Sequence, residues 1–148
     1  MSLVIYQKAD PATAFSVNGK FTNPLALTFD GSDGGISIQK FYLRNDGLDN
    51  PIAIYSAISI ALVDNVNGAL INGTDGYIWK LYEDPINPNT QPLQGQWDTI
   101  APANTIAMPD ISDSTTYLPF WLYVQVAPNT AVQSFQGVSL SINATATI

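Results

Sequence analysis

The strongest constraint on the fold lies at the C-terminal end of the sequence. Val138, Leu140, Ile142, Ala144, Ala146 and Ile148 alternate one by one with Ser139, Ser141, Asn143, Thr145 and Thr147. Successive side chains of an extended strand point to opposite faces, so a period of two makes one face apolar and the other small and wettable. A helix would spread the same residues around its whole surface. The segment reads as an antiparallel strand with one solvated side.

Other segments repeat the pattern. From Ile52 to Val63, the even positions Ile52, Ile54, Ile58, Ile60 and Leu62 form an apolar row expected to face the core. Leu118, Phe120, Leu122, Val124 and Val126 form another, with Tyr117, Pro119, Trp121, Tyr123 and Gln125 on the reverse side. Pro119 favours an edge or a strand beginning there, since it cannot donate to a ladder. In Ile36–Arg44 the apolar parity switches from Ile36 and Ile38 to Phe41 and Leu43, which predicts a β-bulge near Gln39-Lys40. Tyr77–Tyr82 and Ala26–Asp30 read as shorter strands. Phe15–Val17 and Lys20–Thr22 flank Asn18-Gly19 as a hairpin, because Asn-Gly suits a type I′ turn.

Turn-forming clusters separate these runs, and residues 83–116 form a long connection holding five of the ten prolines. Short strands are expected within it at Trp97–Ile100 and Thr105–Met108. About eight strands, no internal repeat and no linker predict an all-β chain, a single antiparallel β-sandwich of immunoglobulin-like or jelly-roll type spanning residues 1–148. Residues 1–9, with Leu3, Val4, Ile5 and Tyr6 as an apolar run, read equally as an N-terminal arm or as the first strand.

Composition narrows the chemistry. There is no His and no Cys, which removes the Ser-His-Asp and Cys-His mechanisms and the usual zinc ligands. Charged residues make up only 11% of the chain, where about 25% is usual. The net charge is −7, and Lys8, Lys20, Lys40, Arg44 and Lys80 are scattered singly. Nucleic-acid binding needs clustered cations, and anionic membranes repel such a chain, so neither is an expected partner. No signal peptide is expected at Met1–Ile5, and the apolar-rich run Ile52–Val63 is too short for a membrane helix.

The polar turns around Asp30, Ser32 and Asp33, and around Asp46, Asp49 and Asn50, carry oxygen ligands but match no EF-hand loop. They read as turn chemistry, with no metal or cofactor expected. Glu83 is the only Glu, and Asp110 and Asp113 sit in turn-rich sequence without marks of a carboxylate pair, so no enzyme activity is expected. Tyr117, Trp121 and Tyr123, with Trp97 from the connection, fit three roles: a core face, a protein interface, or a platform for sugars. Asn72-Gly73-Thr74 and Asn143-Ala144-Thr145 match the N-glycosylation pattern, which is too common to carry weight here.

Two segments carry a family resemblance. One is Phe21-Thr22-Asn23-Pro24-Leu25-Ala26-Leu27-Thr28-Phe29-Asp30-Gly31 followed by Lys40-Phe41-Tyr42-Leu43-Arg44-Asn45-Asp46-Gly47. The other runs from Leu118-Pro119-Phe120-Trp121-Leu122-Tyr123 through Ala127-Pro128-Asn129-Thr130 to the alternating end. Together they resemble small β-sandwich virion proteins of tailed bacteriophages, the auxiliary capsid or head decoration type. The resemblance touches about half the chain and rests on texture, not on a diagnostic motif. It implies binding to a major capsid protein or other virion proteins, often as a trimer, on the capsid exterior after a time in the host cytoplasm. It implies stabilisation of the shell and carries no catalytic residues. Leu3, Val4, Ile5, Tyr6, Trp97, Tyr117, Trp121 and Tyr123 are the expected partner-binding residues. A carbohydrate- or receptor-binding module of a phage or bacterial surface is the alternative.

Overall fold

Leu118–Val126 is apolar on both parities, and it is hydrogen-bonded on both sides and covered on both faces in the computed structural model. The structure describes residues 3–6, 14–17, 33–47, 53–64, 69–71, 77–83, 89–129 and 138–147, with the backbone alone at 14–17. The elements are β1 (Leu3–Tyr6), β2 (Ala14–Val17), β3 (Gly35–Asn45), β4 (Ile54–Asp64), β5 (Tyr77–Tyr82), α1 (Gln94–Thr99), β6 (Thr105–Met108), β7 (Leu118–Val126) and β8 (Val138–Thr147). They build a five-stranded sheet in the order β2-β1-β3-β7-β5 and a three-stranded sheet in the order β6-β4-β8. All neighbours are antiparallel. The expected all-β sandwich is what forms. From β3 onward each successive strand lies in the other sheet, so the alternation of the chain itself ties the layers together.

The core fills the space between the sheets. Leu3 and Ile5 of β1, Phe41 and Leu43 of β3, Trp79 and Leu81 of β5, and Phe120, Leu122 and Val124 of β7 supply one side. Tyr55, Ile58, Ile60 and Leu62 of β4, Met108 of β6, and Val138, Leu140 and Ile142 of β8 supply the other. Each fully buried aliphatic side chain contributes about 1.5–3 kcal/mol relative to exposure. Phe41 and Phe120, opposite one another in the ladder, stack with centroids 5.6 Å apart.

One side of the sandwich is closed by a strand that changes sheet. Ala103 bonds to β5, donating to the Trp79 carbonyl and accepting from the Leu81 N–H, both at 3.0 Å. Two residues later the chain has become β6, paired with β4. Pro119 lies where β7 has a neighbour on one side only, because the β5 ladder begins at Trp121. A proline at the start of the strand therefore costs no bond to β5, as its sequence position predicts.

Three expectations need correction, and one open choice is decided. Ile54 is not in the core: it is 45% exposed, and Tyr55 is buried in its place. The cause is a bulge at Ala57, which has φ of 50°, where the β4–β8 register shifts between Ser56 and Ser59. Parity is odd before the bulge and even after it, so Ile58, Ile60 and Leu62 do face inward. Ile52 lies outside the described residues. Conversely, no bulge occurs at Gln39-Lys40, because β3 pairs with β7 in unbroken register from Gly35↔Val126 to Leu43↔Leu118. Residues 97–100 do not form a strand, since the helix α1 runs through Trp97. Of the two readings of residues 1–9, the first-strand reading holds for Leu3, Val4, Ile5 and Tyr6. They form β1, fully buried between β2 and β3.

The chain at 14–17 pairs with β1, while the rest of the hairpin expected around Asn18-Gly19 lies outside the described residues, as does Ala26–Asp30. Gly34, where β3 begins, has φ of +73°, and an added Cβ would come within 2.9 Å of Ala127 C and Pro128 N. The positive φ and the close approach to the end of β7 both require glycine there.

Candidate functional site

The outer face of the five-stranded sheet holds most of the chemistry-bearing side chains. Unbroken register aligns them in cross-strand rows: Tyr6–Tyr42–Pro119, then Lys40–Trp121–Tyr82, then Ile38–Tyr123–Lys80, then Ile36–Gln125–Ile78. Arg44 stands opposite Val4 just beyond the first row. Lys40, Arg44 and Lys80, three of the five cations of the chain, thus fall on one face.

Each of the three fastens a different part of the residue 83–116 connection to that face. Lys40 donates to the Asn89 Oδ1 at 3.0 Å and lies over the rings of Tyr42 and Trp121. Lys80 donates to the Trp97 carbonyl at 2.6 Å and lies 5.2 Å from the Tyr123 ring centroid. Arg44 donates through Nε and Nη2 to the Ser114 carbonyl and through Nη1 to the Tyr117 hydroxyl at 2.8 Å. Cations over aromatic faces contribute about 0.5–2 kcal/mol each, more when water is excluded. The connection is a strap pinned at its start, middle and end.

The middle pin sits in a second small core. Trp97 is 0% exposed and stacks on Tyr123 at 5.0 Å, with Tyr82 edge-on at 5.9 Å; Ile38, Ile100 and Trp121 complete the cluster. Local chemistry makes the helix that carries Trp97. The Gln96 side chain accepts from the Leu93 N–H at 2.8 Å, the capping role suited to the third helical position, and the Thr99 hydroxyl closes on the Gln96 carbonyl. Gln94 and Asp98 bond one turn apart.

At the far end of the face the carboxylate of Asp113 accepts the N–H groups of Thr115 and Thr116 and both threonine hydroxyls. These bonds, the Thr115 N–H foremost, lower its pKa to about 2. A carboxyl held ionised in this way is suited to ordering a turn and not to donating protons. Tyr6 lies edge-on to Tyr117 at 5.7 Å, and burial, then the charge of Asp46, raises its phenol pKa.

The expected partner-binding residues are therefore placed inside. Leu3, Val4, Ile5 and Tyr6 are strand core, Trp97, Trp121 and Tyr123 are buried beneath or within the strap, and Tyr117 is half-buried under Arg44. Trp97 stacks on Tyr123, and Tyr6 and Tyr42 both meet Tyr117 edge-on. What remains open is the last row. Ile36 is 48% and Ile78 37% exposed, with half-buried Gln125 between them. Leu93, 74% exposed, begins the turn into α1. The next residue, Gln94, reaches the Tyr123 hydroxyl at 3.4 Å, and that hydroxyl donates to Gln125 at 3.0 Å, so the start of the helix borders the row.

The sequence reading missed Ile36, Ile78 and Leu93. The signal was the parity switch in β3: Ile36 and Ile38 are apolar on the outer face because part of that face is a core and part is open. Among the described residues no three His, Cys, Asp or Glu groups converge on a metal-sized site; Asp30, Ser32, Asp49 and Asn50 lie outside them. Comparisons with protein-family models, with curated proteins and with solved structures found no match.

Proposed function

We propose that this chain is a non-enzymatic structural protein that docks on the exterior of a tailed-phage capsid and stabilises the shell, with the row Ile36–Gln125–Ile78 as its contact surface. The carrying observation is that, among the described residues on the outer face of the larger sheet, Lys80, Trp121 and Tyr123 are buried while Ile36 and Ile78 stay open. Contiguous exposed apolar groups rimmed by polar ones mark protein contact sites. The capsid as target comes from the sequence resemblance, as does assembly into a trimer. Low overall charge and a surface of Ser, Thr, Asn and Gln suit extensive neutral contacts with protein neighbours.

The test is co-sedimentation with empty shells assembled from the major capsid protein of the same genome. Wild-type protein should pellet with the shells, and a double Ile36→Ser, Ile78→Ser variant should stay in the supernatant while retaining its circular dichroism. Parental occupancy by the double variant would sink the proposed surface. A wild-type chain that never pellets would sink the capsid reading.

A further inference from the structure

The strand β8 is the outer member of the smaller sheet, and the bonds of its neighbour β4 fix where its peptide groups point. The Tyr55 N–H donates to the Ile111 carbonyl and the Ile111 N–H to the Tyr55 carbonyl, while Leu62 bonds to Asn104 and Ile71. Tyr55, Ile60 and Leu62 therefore turn their peptide groups away from β8. Ile54, Ser56, Ser59 and Ala61 turn theirs toward it, where they meet Thr147, Thr145, Asn143 and Ser141. The peptide groups of Ile142, Ala144 and Ala146 consequently point outward from the sheet edge. Among the described residues nothing takes them up. Ser139 and Leu140 carry further interactions, so the open stretch begins at Ile142. Asn143, Thr145, Ala146 and Thr147 are exposed.

Folded proteins guard such edges with Lys, Pro, a bulge or brevity. The other edges of the two described sheets are guarded. Ala103 caps β5 at Trp79 and Leu81, and β2 and β6 have four residues each. β8 has ten residues with no charge, Pro or Gly, and the bulge at Ala57 lies on β4 and leaves β8 unbroken. We propose that a second copy of this chain adds its own β8 to this edge, antiparallel, joining the two smaller sheets across a two-fold axis. The strand is neutral, so two chains of net charge −7 meet on it without opposing like charges. One symmetric register uses all three outward residues and spares Leu140: Ala144 opposite its own symmetry mate, and Ile142 opposite Ala146. It keeps Ile142 and Ala146 on the apolar face and sets Asn143 against Thr145 on the polar one. The period of two that fits β8 to β4 thus also fits it to itself. Main-chain bonds supply the affinity in strand addition, and the contact is the same patch on both copies. The row Ile36–Gln125–Ile78 lies on the other sheet, so the pairing neither covers it nor depends on it. Such a pair is two-fold, and a trimer requires a different contact.

The experiment measures the mass of the full-length protein by sedimentation and light scattering over a dilution series. Expected is a reversible dimer. Ala144→Pro removes an outward N–H and no bond to β4, so it should keep the parental circular dichroism. It should raise the dimer dissociation constant about tenfold or more, because each copy loses a bond. Thiols test the register, since the chain contains no Cys. Asn143→Cys mixed with Thr145→Cys should form a disulfide-linked heterodimer under mild oxidation, because residues opposite in a non-bonded pair lie about 4.5 Å apart. Asn143→Cys alone should not cross-link, its symmetry mate lying beyond the reach of about 7 Å. A protein that stays monomeric, a trimer, or a dimer that Ala144→Pro leaves intact would overturn the proposal. Should Ala144→Pro fail to fold, the thiols decide: no mixed disulfide, or equal yield from Asn143→Cys alone, overturns it.

Discussion

The Nζ of Lys80 donates to the carbonyl oxygen of Trp97 at 2.6 Å, beneath a helix of six residues that buries the Trp97 ring completely. Lys80 comes from the edge strand β5, and Trp97 from the middle of the long connection. Their bond is, among the described residues, the charged anchor of a short helix. Helices this short do not persist alone in water, so tertiary contacts supply their stability. Replacing Lys80 by Met keeps the aliphatic stem and removes the donor. A loss of about 1.5–3 kcal/mol in chemical denaturation is expected, the usual range for a bond from a charged group. An unchanged denaturant midpoint would mean that ring stacking alone holds the helix.

The bulge at Ala57 makes a sharp prediction about neighbouring isoleucines. Ile58→Ala should cost about 2–5 kcal/mol, as large-to-small changes in a core do. Ile54→Ala, four residues earlier on the open side, should cost less than about 1 kcal/mol. Equal costs measured by urea unfolding would place Ile54 in the core and remove the bulge.

Asp113 gives a prediction about acid. Its pKa is lowered in the folded state, so its contribution to stability is present above its ordinary pKa, near 4, and is lost as the pH falls toward about 2. Asp113→Asn should therefore flatten the stability profile between pH 4 and 2 while changing its shape little at neutral pH. Carbon-detected NMR titration should find the Asp113 carboxyl ionising near pH 2. Ionisation in the ordinary range, with an unaltered acid profile in the variant, would show that the four bonds from Thr115 and Thr116 do not persist in solution.

Much of the fold was legible because its signals are local. Alternation from Val138 to Thr147 marks β8, and Thr105–Met108 forms β6 with the boundaries read from the sequence. The bulge misplaced at Gln39-Lys40 has a plain cause. A period of two tells which residues share a face but not which faces are covered. Ile36 and Ile38 looked like evidence for a bulge because only one face of the strand was expected to be apolar. Their outer face is in fact part core, under Trp97, and part open. Ala57 carried no turn signal, since an alanine at positive φ is imposed by the β4–β8 register and not by its own preference.

The candidate site was less legible than the fold for the same reason. Trp97, Trp121 and Tyr123 are conspicuous in sequence, yet conspicuous aromatics are also what a short strap needs to bury. The staples could not be read at all. Lys40–Asn89, Lys80–Trp97 and Arg44–Ser114 join residues 49, 17 and 70 positions apart. In the sequence the cations looked scattered; Lys40, Arg44 and Lys80 share one face of the sheet.

A density map of shells incubated with this protein tests the central claim most directly. The account predicts added density on the shell exterior, with the sandwich oriented so that Ile36, Gln125 and Ile78 face the capsid surface and the Arg44 end of the sheet points away. Density in which that row faces solvent, or a map with nothing added at saturating protein, would contradict it.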